Sequence, residues 1–519
     1  MNIPLLIETL RFLRPAQVLY RLKRNLHQPK LELKAAPNVT RCCKIKETIA
    51  KPQCLDGNGQ FTFLNLTSTF QDWNQMEHGS LWTYNLNYMD WLEQEGMTAE
   101  DGTKWIDLFI HDLPANRTGQ DPYPTALRII NWMKFFAKHP DCLNALRLNS
   151  LYSQVVLLSK KLEYHVLGNH LLEDAYALYI SAVFFNEESL HEKSFKLLQS
   201  QLKEQILPDG AHYEQSPMYH CILLDRLLDC INFSQNNHLF SQQEINTGQL
   251  REYAKKMLGH LSSIIYRDGS LPLLNDSANK IAPAPKQIFD YARRLDIRWN
   301  ATPLYDCGYR KFLQKDLEVI LDIGNIMASY QPGHSHADTF NYELRVHEKP
   351  VIIDTGISTY NKNERRQYER GTAAHNTVTV EQKNSSRVWG GFRMGRRAKV
   401  NVIKDESSVI IACHNGFGHD AIHQRQFSQS PGAFCIEDQI VGKETEAISY
   451  LHLAPGLTAT ILSETEGIVT IGDIRLEIEG HSRIEVQKEY ISTEYNSLRE
   501  SEMLLLHFNR QLKYQIKVG

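Results

Sequence analysis

Gly333-His334-Ser335-His336-Ala337-Asp338 sets two imidazoles one residue apart, ahead of a stretch that alternates as strands do, so an extended backbone turns both rings to one side. A second carboxylate follows in Val351-Ile352-Ile353-Asp354-Thr355-Gly356, and a third imidazole in Gly371-Thr372-Ala373-Ala374-His375-Asn376-Thr377, where a turn enters another strand-like run. Imidazole and carboxylate are acid–base groups and zinc ligands, so His334, His336, Asp354 and His375 form a candidate metal or proton-transfer set. The plainer alternative is that these polar residues make ordinary hydrogen bonds at strand ends.

Further chemistry-bearing residues lie upstream. Gly168-Asn169-His170 stands at a glycine-marked helix start, where backbone amides favour anions and the Asn169 side chain can grip a carboxylate or simply cap the helix. Tyr213 and Tyr219 flank Glu214-Gln215-Ser216-Pro217, with His212 and His220 beside them. A tyrosine exchanges a proton with substrate when its surroundings tune it, and otherwise packs. Arg365, Arg366, Arg370, Arg387, Arg393, Arg396 and Arg397 crowd the stretch around His375, as an anion-binding patch or as a solvated face balanced by Glu364, Glu369 and Glu381. Aromatic and polar residues also concentrate in Leu81-Trp82-Thr83-Tyr84-Asn85-Leu86-Asn87-Tyr88 and in Tyr123 to Trp132. Tyr84, Asn85, Arg128, Tyr213, Glu214, Arg370 and Arg393 are therefore the expected substrate-binding residues.

The elements that must position these groups fall into two kinds. Between about 125 and 300 the helical period dominates. Leu151, Val155, Leu158 and Leu162 form one stripe, Leu171, Ala175, Leu178 and Ala182 a second, and Phe195, Leu198, Leu202 and Ile206 a third. Links such as Gly168 and Pro208-Asp209-Gly210 are short, which makes successive helices antiparallel neighbours able to curl into an incomplete (α/α) toroid. Past Pro303 the period becomes two: Leu317, Val319, Leu321 and Ile323 alternate with Glu318, Ile320 and Asp322, and similar strands recur at 340–346, 377–381, 399–403, 409–412, 448–453, 474–478 and 483–487. The expected fold is multidomain α+β, with an N-terminal helix and extended arm over 1–75, a toroid over 76–305 and an antiparallel β-sandwich over 306–519. The cleft is expected where the last two meet.

At 519 residues the chain exceeds one ordinary core, and a net charge of −3 removes any global pull toward nucleic acid, so a polyanion must be held by a local patch. The nine cysteines, with Cys42 and Cys43 adjacent and no C-x-x-C pair, indicate neither a disulfide framework nor a zinc-thiolate site and fit a reducing compartment. Residues 1–10 lack a basic leader region and a cleavage site, and no run approaches the roughly 20 apolar residues of a membrane span. Arg11, Arg14, Arg21, Lys23 and Arg24 interleave with Phe12, Leu13, Val18, Leu19 and Leu22 as an amphipathic basic helix, which either packs on the protein or touches a membrane surface. A cytoplasmic or inner-membrane-peripheral location is expected, with the periplasm as the alternative.

Together, Gly168-Asn169-His170, Asp209-Gly210 through Tyr219-His220, Gly333 to Asp338, Ile353-Asp354-Thr355-Gly356 and Ala374-His375-Asn376-Thr377 resemble the heparinase II/III family of polysaccharide lyases, over roughly residues 80–480. The resemblance implies a toroid followed by a β-sandwich. It also implies cleavage of a uronate-containing acidic polysaccharide, heparan-like or of a bacterial capsule, by C5 proton abstraction and β-elimination. It casts Asn169 and His334 as neutralisers of the substrate carboxylate, Tyr219 as base or acid, His170 as a partner base, and His375 as part of the catalytic cluster or a metal ligand. His336, Asp354 and His375 match the positions of a structural Zn2+ in some members. Uronate C5-epimerases share the fold and chemistry, and a non-catalytic polysaccharide-binding or biosynthesis-associated role is the third possibility.

Overall fold

The computed structural model describes residues 3–26, 28–37 and 43–518; Met1, Asn2 and Cys42 lie outside the described residues. The helices of the first part are α1 (Ile3–Leu10), α2 (Pro15–Leu26), α3 (Ser80–Tyr88), α4 (Ala99–Asp112), α5 (Pro122–Lys138), α6 (Ala145–Lys160), α7 (Gly168–Phe185), α8 (Glu188–Gln205), α9 (Pro217–Gln235), α10 (Gln243–Ile264) and α11 (Pro285–Arg294); antiparallel sheets and the short helix α12 (Glu364–Glu369) follow. The stripes on α6, α7 and α8 are buried as their spacing requires, except that α6 ends before Leu162, which is half-buried, and Ile206 lies just past α8; α7 is buried nearly all round because neighbouring helices cover both its sides. Gly210, at φ 86°, makes the turn between α8 and α9, and a Cβ there would lie 2.0 Å from the Lys256 carbonyl oxygen.

Past residue 305 the chain forms an eight-stranded sheet and two four-stranded ones. One of the latter runs in the order Tyr309–Leu313, Leu317–Asp322, Tyr342–Val346, Lys349–Ile352. Its strand Leu317–Asp322 is buried at every position, so the polar face read from its alternation is not solvated. Leu317, Val319 and Leu321 join the core of the β half, while Ile320 joins the core of the helical half. The sheet thus supplies the joint between the two.

The loop between its second and third strands carries Gly333 to Asp338. The expectation that His334 and His336 share one face of a strand fails here: the backbone is irregular, and the two rings meet different neighbours.

The N-terminal helices pack on the protein. Glu8 pairs with Arg387 at 2.7 Å and accepts the Arg396 amide at 3.1 Å, and Thr9 Oγ1 accepts from the Trp389 indole at 3.1 Å. Gln17 donates to the Val166 and Tyr330 carbonyls at 3.1 and 3.3 Å. The pair is therefore a strap holding both halves, while Val18, Leu19 and Leu22 remain exposed on its outer side. The arm beyond it lies along the helices, where Asn149, Asn232 and Asn237 accept backbone amides that have no strand partner. No helix among the described residues is long and apolar enough to cross a membrane.

Candidate active site

A cavity of about 900 Å³ opens between the halves. The helical side contributes Tyr84, Asn85, Asn169, His170 and Tyr219, the β side His334, Tyr360 and Arg393, and the strap Leu6, Leu10 and Leu13.

Glu214 organises its centre. Leu167 and Gly168 enter α7 with φ of 65° and 62°, and a Cβ on Gly168 would stand 2.8 Å from Glu214 Oε1, so glycine admits the carboxylate to the helix N-terminus. Glu214 Oε1 accepts the Asn169 backbone amide at 3.0 Å, and Oε2 lies 2.5 Å from His334 Nδ1. The anion site at this helix start is thus filled by the protein's own carboxylate, leaving the Asn169 side chain for other work. Asn169 is 1% exposed, lines the cavity, and its Oδ1 has no partner within the protein.

Burial works against the charge on Glu214, but His334, His212 and the Asn169 amide outweigh it and hold the carboxyl below its usual range. An ionised carboxylate only accepts, so Nδ1 of His334 carries the proton and Nε2 is the nitrogen left for a ligand.

Tyr219 sits on the first turns of α9, whose start is set by Pro217 and by Ser216 Oγ accepting the Tyr219 amide at 3.2 Å. Its ring stacks on His334 with centroids 3.9 Å apart and planes at 17°. Its hydroxyl lies 3.2 Å from that of Tyr360. Burial pushes the phenol well above its ordinary value, so it stays protonated at neutral pH. His170 packs on the Tyr123 ring at 4.5 Å and bonds Glu163 Oε2 through Nδ1 at 2.9 Å, which leaves Nε2 free. Desolvation lowers its affinity for a proton, but Glu163 overcomes this and the net shift is upward.

Behind these groups stands Asp276. Its amide donates to the His334 carbonyl at 3.1 Å, and its carboxylate bonds His336 Nε2 at 2.7 Å and takes two bonds from Arg366 at 2.6 and 2.7 Å. The Arg366 guanidinium lies 4.8 Å from the centre of the Tyr360 ring. His336, buried, is pushed down to about 4. His375 Nδ1 bonds Asp354 Oδ2 at 2.7 Å; burial opposes its charge and Asp354 more than restores it.

Several expected substrate contacts have other duties. Arg128 is fully buried away from the cavity, bonded to Gln154 and to the Asn87 and Gly119 carbonyls at 2.7, 3.0 and 2.6 Å, so it braces helices. Arg370 is buried and caps the Ser335 carbonyl at 2.8 Å and that of Pro332 at 3.1 Å, holding the His334 loop in place. Tyr213 is buried against Tyr330, hydroxyl to hydroxyl at 2.8 Å. Glu214 acts through His334 and Asn169 and does not line the cavity. The arginine cluster disperses likewise: Arg366 serves Asp276, Arg365 pairs with Glu369, Arg387 with Glu8, and Arg397 covers Phe12, so that Arg393 alone of the seven lines the cavity. Tyr84, Asn85 and Arg393 keep their expected place on the wall.

The sequence reading missed Glu163, Asp276 and Tyr360, and it placed Arg366 only in the arginine cluster, without its buried partner Asp276. Asn275-Asp276 carried a signal only in being a polar pair after the apolar run Leu271-Pro272-Leu273-Leu274.

For a metal, His336 Nδ1, His375 Nε2 and Asp338 Oδ2 are buried without partners, while Asp354 already accepts from His375, Asn341 and Gly356. Among the described residues the compact group of three ligand types, all atoms within 4.8 Å of one another, is instead Asp209, His260 and Cys307.

Comparison with known proteins accords with this geometry. Residues 69–295 match the heparinase II/III N-terminus, and residues 296–518 the heparinase II/III-like C-terminal region. A heparin-sulfate lyase of Pedobacter heparinus is 25% identical over 342 residues, 58% of this chain and 48% of that protein. One from Bacteroides thetaiotaomicron is 22% identical over 347 residues, again 58% and 48%. The chain spans about half the length of the curated relatives it matches. Among solved structures, a heparinase III superposes with a TM-score of 0.65 at 16% identity, covering 86% of this chain and 80% of that one. The Streptomyces coelicolor A3 chondroitin AC lyase gives 0.51 at 11%, covering 85% and 74%. These likenesses show the fold, a helical region followed by antiparallel sheets.

Proposed function

The chain belongs to the heparinase II/III family, and from that premise we propose that it is a polysaccharide lyase that cleaves a uronate-containing acidic polysaccharide, heparan-like or capsular, by β-elimination. The observation that carries this reading is Glu214 bridging Asn169 and His334, with the Tyr219 phenol stacked on His334 at the cavity wall.

The C5 proton of a uronate lies α to a carboxylate, so removing it loads a second charge onto a group already anionic. The Asn169 side-chain amide is the donor available to that carboxylate, joined by His334 Nε2 when the ring carries a second proton. As the C5–H bond breaks, its electrons form the C4–C5 double bond and the C4–O4 pair leaves with the departing chain. The protonated Tyr219 hydroxyl supplies the proton that the departing oxygen needs. With the phenol protonated, the C5 proton passes to His170 Nε2, the ring nitrogen that Glu163 leaves free. Arg21 and Arg393 on the cavity wall favour an acidic chain, while Lys51 and Arg226 there are paired with Asp90 and Asp225.

The family resemblance implies zinc on His336, Asp354 and His375. His336 Nδ1 and His375 Nε2 are buried without partners and would hold the ion, while Asp354 would have to exchange its bonds to His375 and Asn341 for it.

The test is incubation with a panel of uronate polysaccharides. The expected result is the ultraviolet absorbance of a 4,5-unsaturated product. Solvent deuterium entering C5 without that absorbance replaces the lyase with an epimerase, and binding without either replaces it with a non-catalytic binder.

A further inference from the structure

Beneath the loop that carries Glu214, three side chains from separate parts of the chain converge. Asp209 comes from the turn between α8 and α9, His260 from α10, and Cys307 from the segment leading into the strand Tyr309–Leu313. One ligand atom of each lies within 4.8 Å of the other two, and all three residues are buried.

Part of this group is an ordinary hydrogen-bonded turn: the Asp209 carboxylate accepts the amides of Ala211, Tyr305 and Cys307 at 3.1, 3.1 and 3.0 Å. That turn does not explain His260, which is 4% exposed and whose Nδ1 has no partner. The neighbouring His220 does not relieve it, because its Nε2 is engaged by the Met257 carbonyl at 3.0 Å and its Nδ1 by the His212 amide at 3.3 Å. Cys307 Sγ accepts the Tyr309 amide at 3.4 Å, a bond that strengthens when the sulfur is a thiolate.

We propose that Asp209, His260 and Cys307 hold a zinc ion, at a site distinct from the histidines of the cleft. Carboxylate, imidazole and thiolate are the donor types of tetrahedral zinc, with water in the fourth position, and zinc has no redox chemistry to require a further reactant. On binding, the Cys307 thiol proton is released to solvent and a zinc–sulfur bond forms.

The place of the site defines its duty. The Cys307 carbonyl accepts from Gln215 Nε2 at 2.7 Å, and the Gln215 carbonyl accepts from Asn275 Nδ2 at 3.2 Å. An ion here ties the start of the β half to the turn that leads into Glu214, Gln215 and α9. It is a structural clasp outside the cavity wall.

The test loads the chelator-stripped full chain with cobalt in place of zinc. The expected spectrum has the intense visible bands of a four-coordinate ion and a sulfur-to-cobalt charge-transfer band, which the cleft histidines cannot give and which saturates at about one equivalent per chain. Cys307→Ser removes the charge-transfer band, His260→Gln weakens cobalt affinity by about 10-fold or more, and His336→Ala keeps the charge-transfer band. Absence of that band from the wild type, or its persistence in Cys307→Ser, overturns the proposal. If Cys307→Ser does not fold, the wild-type spectrum and the His260→Gln titration decide, unchanged affinity in the latter counting against the site.

Discussion

Glu214 Oε2 stands 2.5 Å from His334 Nδ1 while its other oxygen holds the Asn169 amide in the first turn of α7, so one buried carboxylate sets both the imidazole and the asparagine that line the cavity. Glu214→Gln preserves the size of this bridge and removes its charge. The expected outcome is a fall in kcat of about 10²–10³-fold with a smaller change in KM, because the donor is misplaced where charge develops. Initial rates from the product absorbance measure it; an unchanged kcat would show that His334 needs no anionic partner.

Tyr219→Phe keeps the ring against His334 and deletes only the hydroxyl. Turnover should be lost while polysaccharide binding, read by calorimetry, stays close to wild type. Tyr360→Phe removes the partner 3.2 Å away and should reduce kcat less, since Tyr360 bonds the phenol without delivering the proton.

His170 takes up a proton more readily than a free histidine because Glu163 faces it. A base must be deprotonated, so where His170 serves, kcat/KM should rise with pH through a value above the ordinary 6.5. Stability runs the opposite way: the contribution of the pair is full below the ordinary value and fades as pH rises through the raised one. Glu163→Gln should move the rise in kcat/KM to lower pH, and a profile that stays in place rules out His170 as the titrating group.

Asp276 is held far below the usual carboxylate range: burial opposes its charge, but Arg366 and His336 prevail. Its folded value is depressed, so its stabilisation is full above about 3.8 and declines as pH falls below that, a loss to be seen only in strong acid. Asp276→Asn leaves the buried Arg366 without an anion and should cost about 3–5 kcal/mol in denaturant unfolding at neutral pH. A loss under 1 kcal/mol would show that Arg366 finds another partner.

Much of this was legible in the sequence. The switch from helical to alternating period near 303 marked the change of architecture, and the spacing of Asn169, His170, Tyr219 and His334 marked residues that do line one cavity. Pattern failed where a residue's partner is distant in the chain. Arg128 and Arg370 resemble ligand-binding arginines, yet they answer backbone carbonyls whose direction depends on the packed loops around them. The H-x-H pair suggested a strand because alternate residues share a face only when the backbone is extended, and bonds from Asn275, Asp276 and Arg370 hold it in another shape. Helix-stripe reasoning likewise could not find the second buried side of α7, which comes from neighbours rather than from period.

The strap also bears on how the chain reaches its fold. Glu8 and Thr9 meet Arg387 and Trp389, 379 and 380 residues away, so during synthesis the first helices emerge long before the surface that receives them. Until then Leu6, Leu10 and Leu13, which later face the cavity, have nothing to cover them. Closing so large a loop is entropically costly, and it is offset only once both halves stand. The strap therefore docks only after the surface that receives it has folded, and with it the cleft gains its third wall.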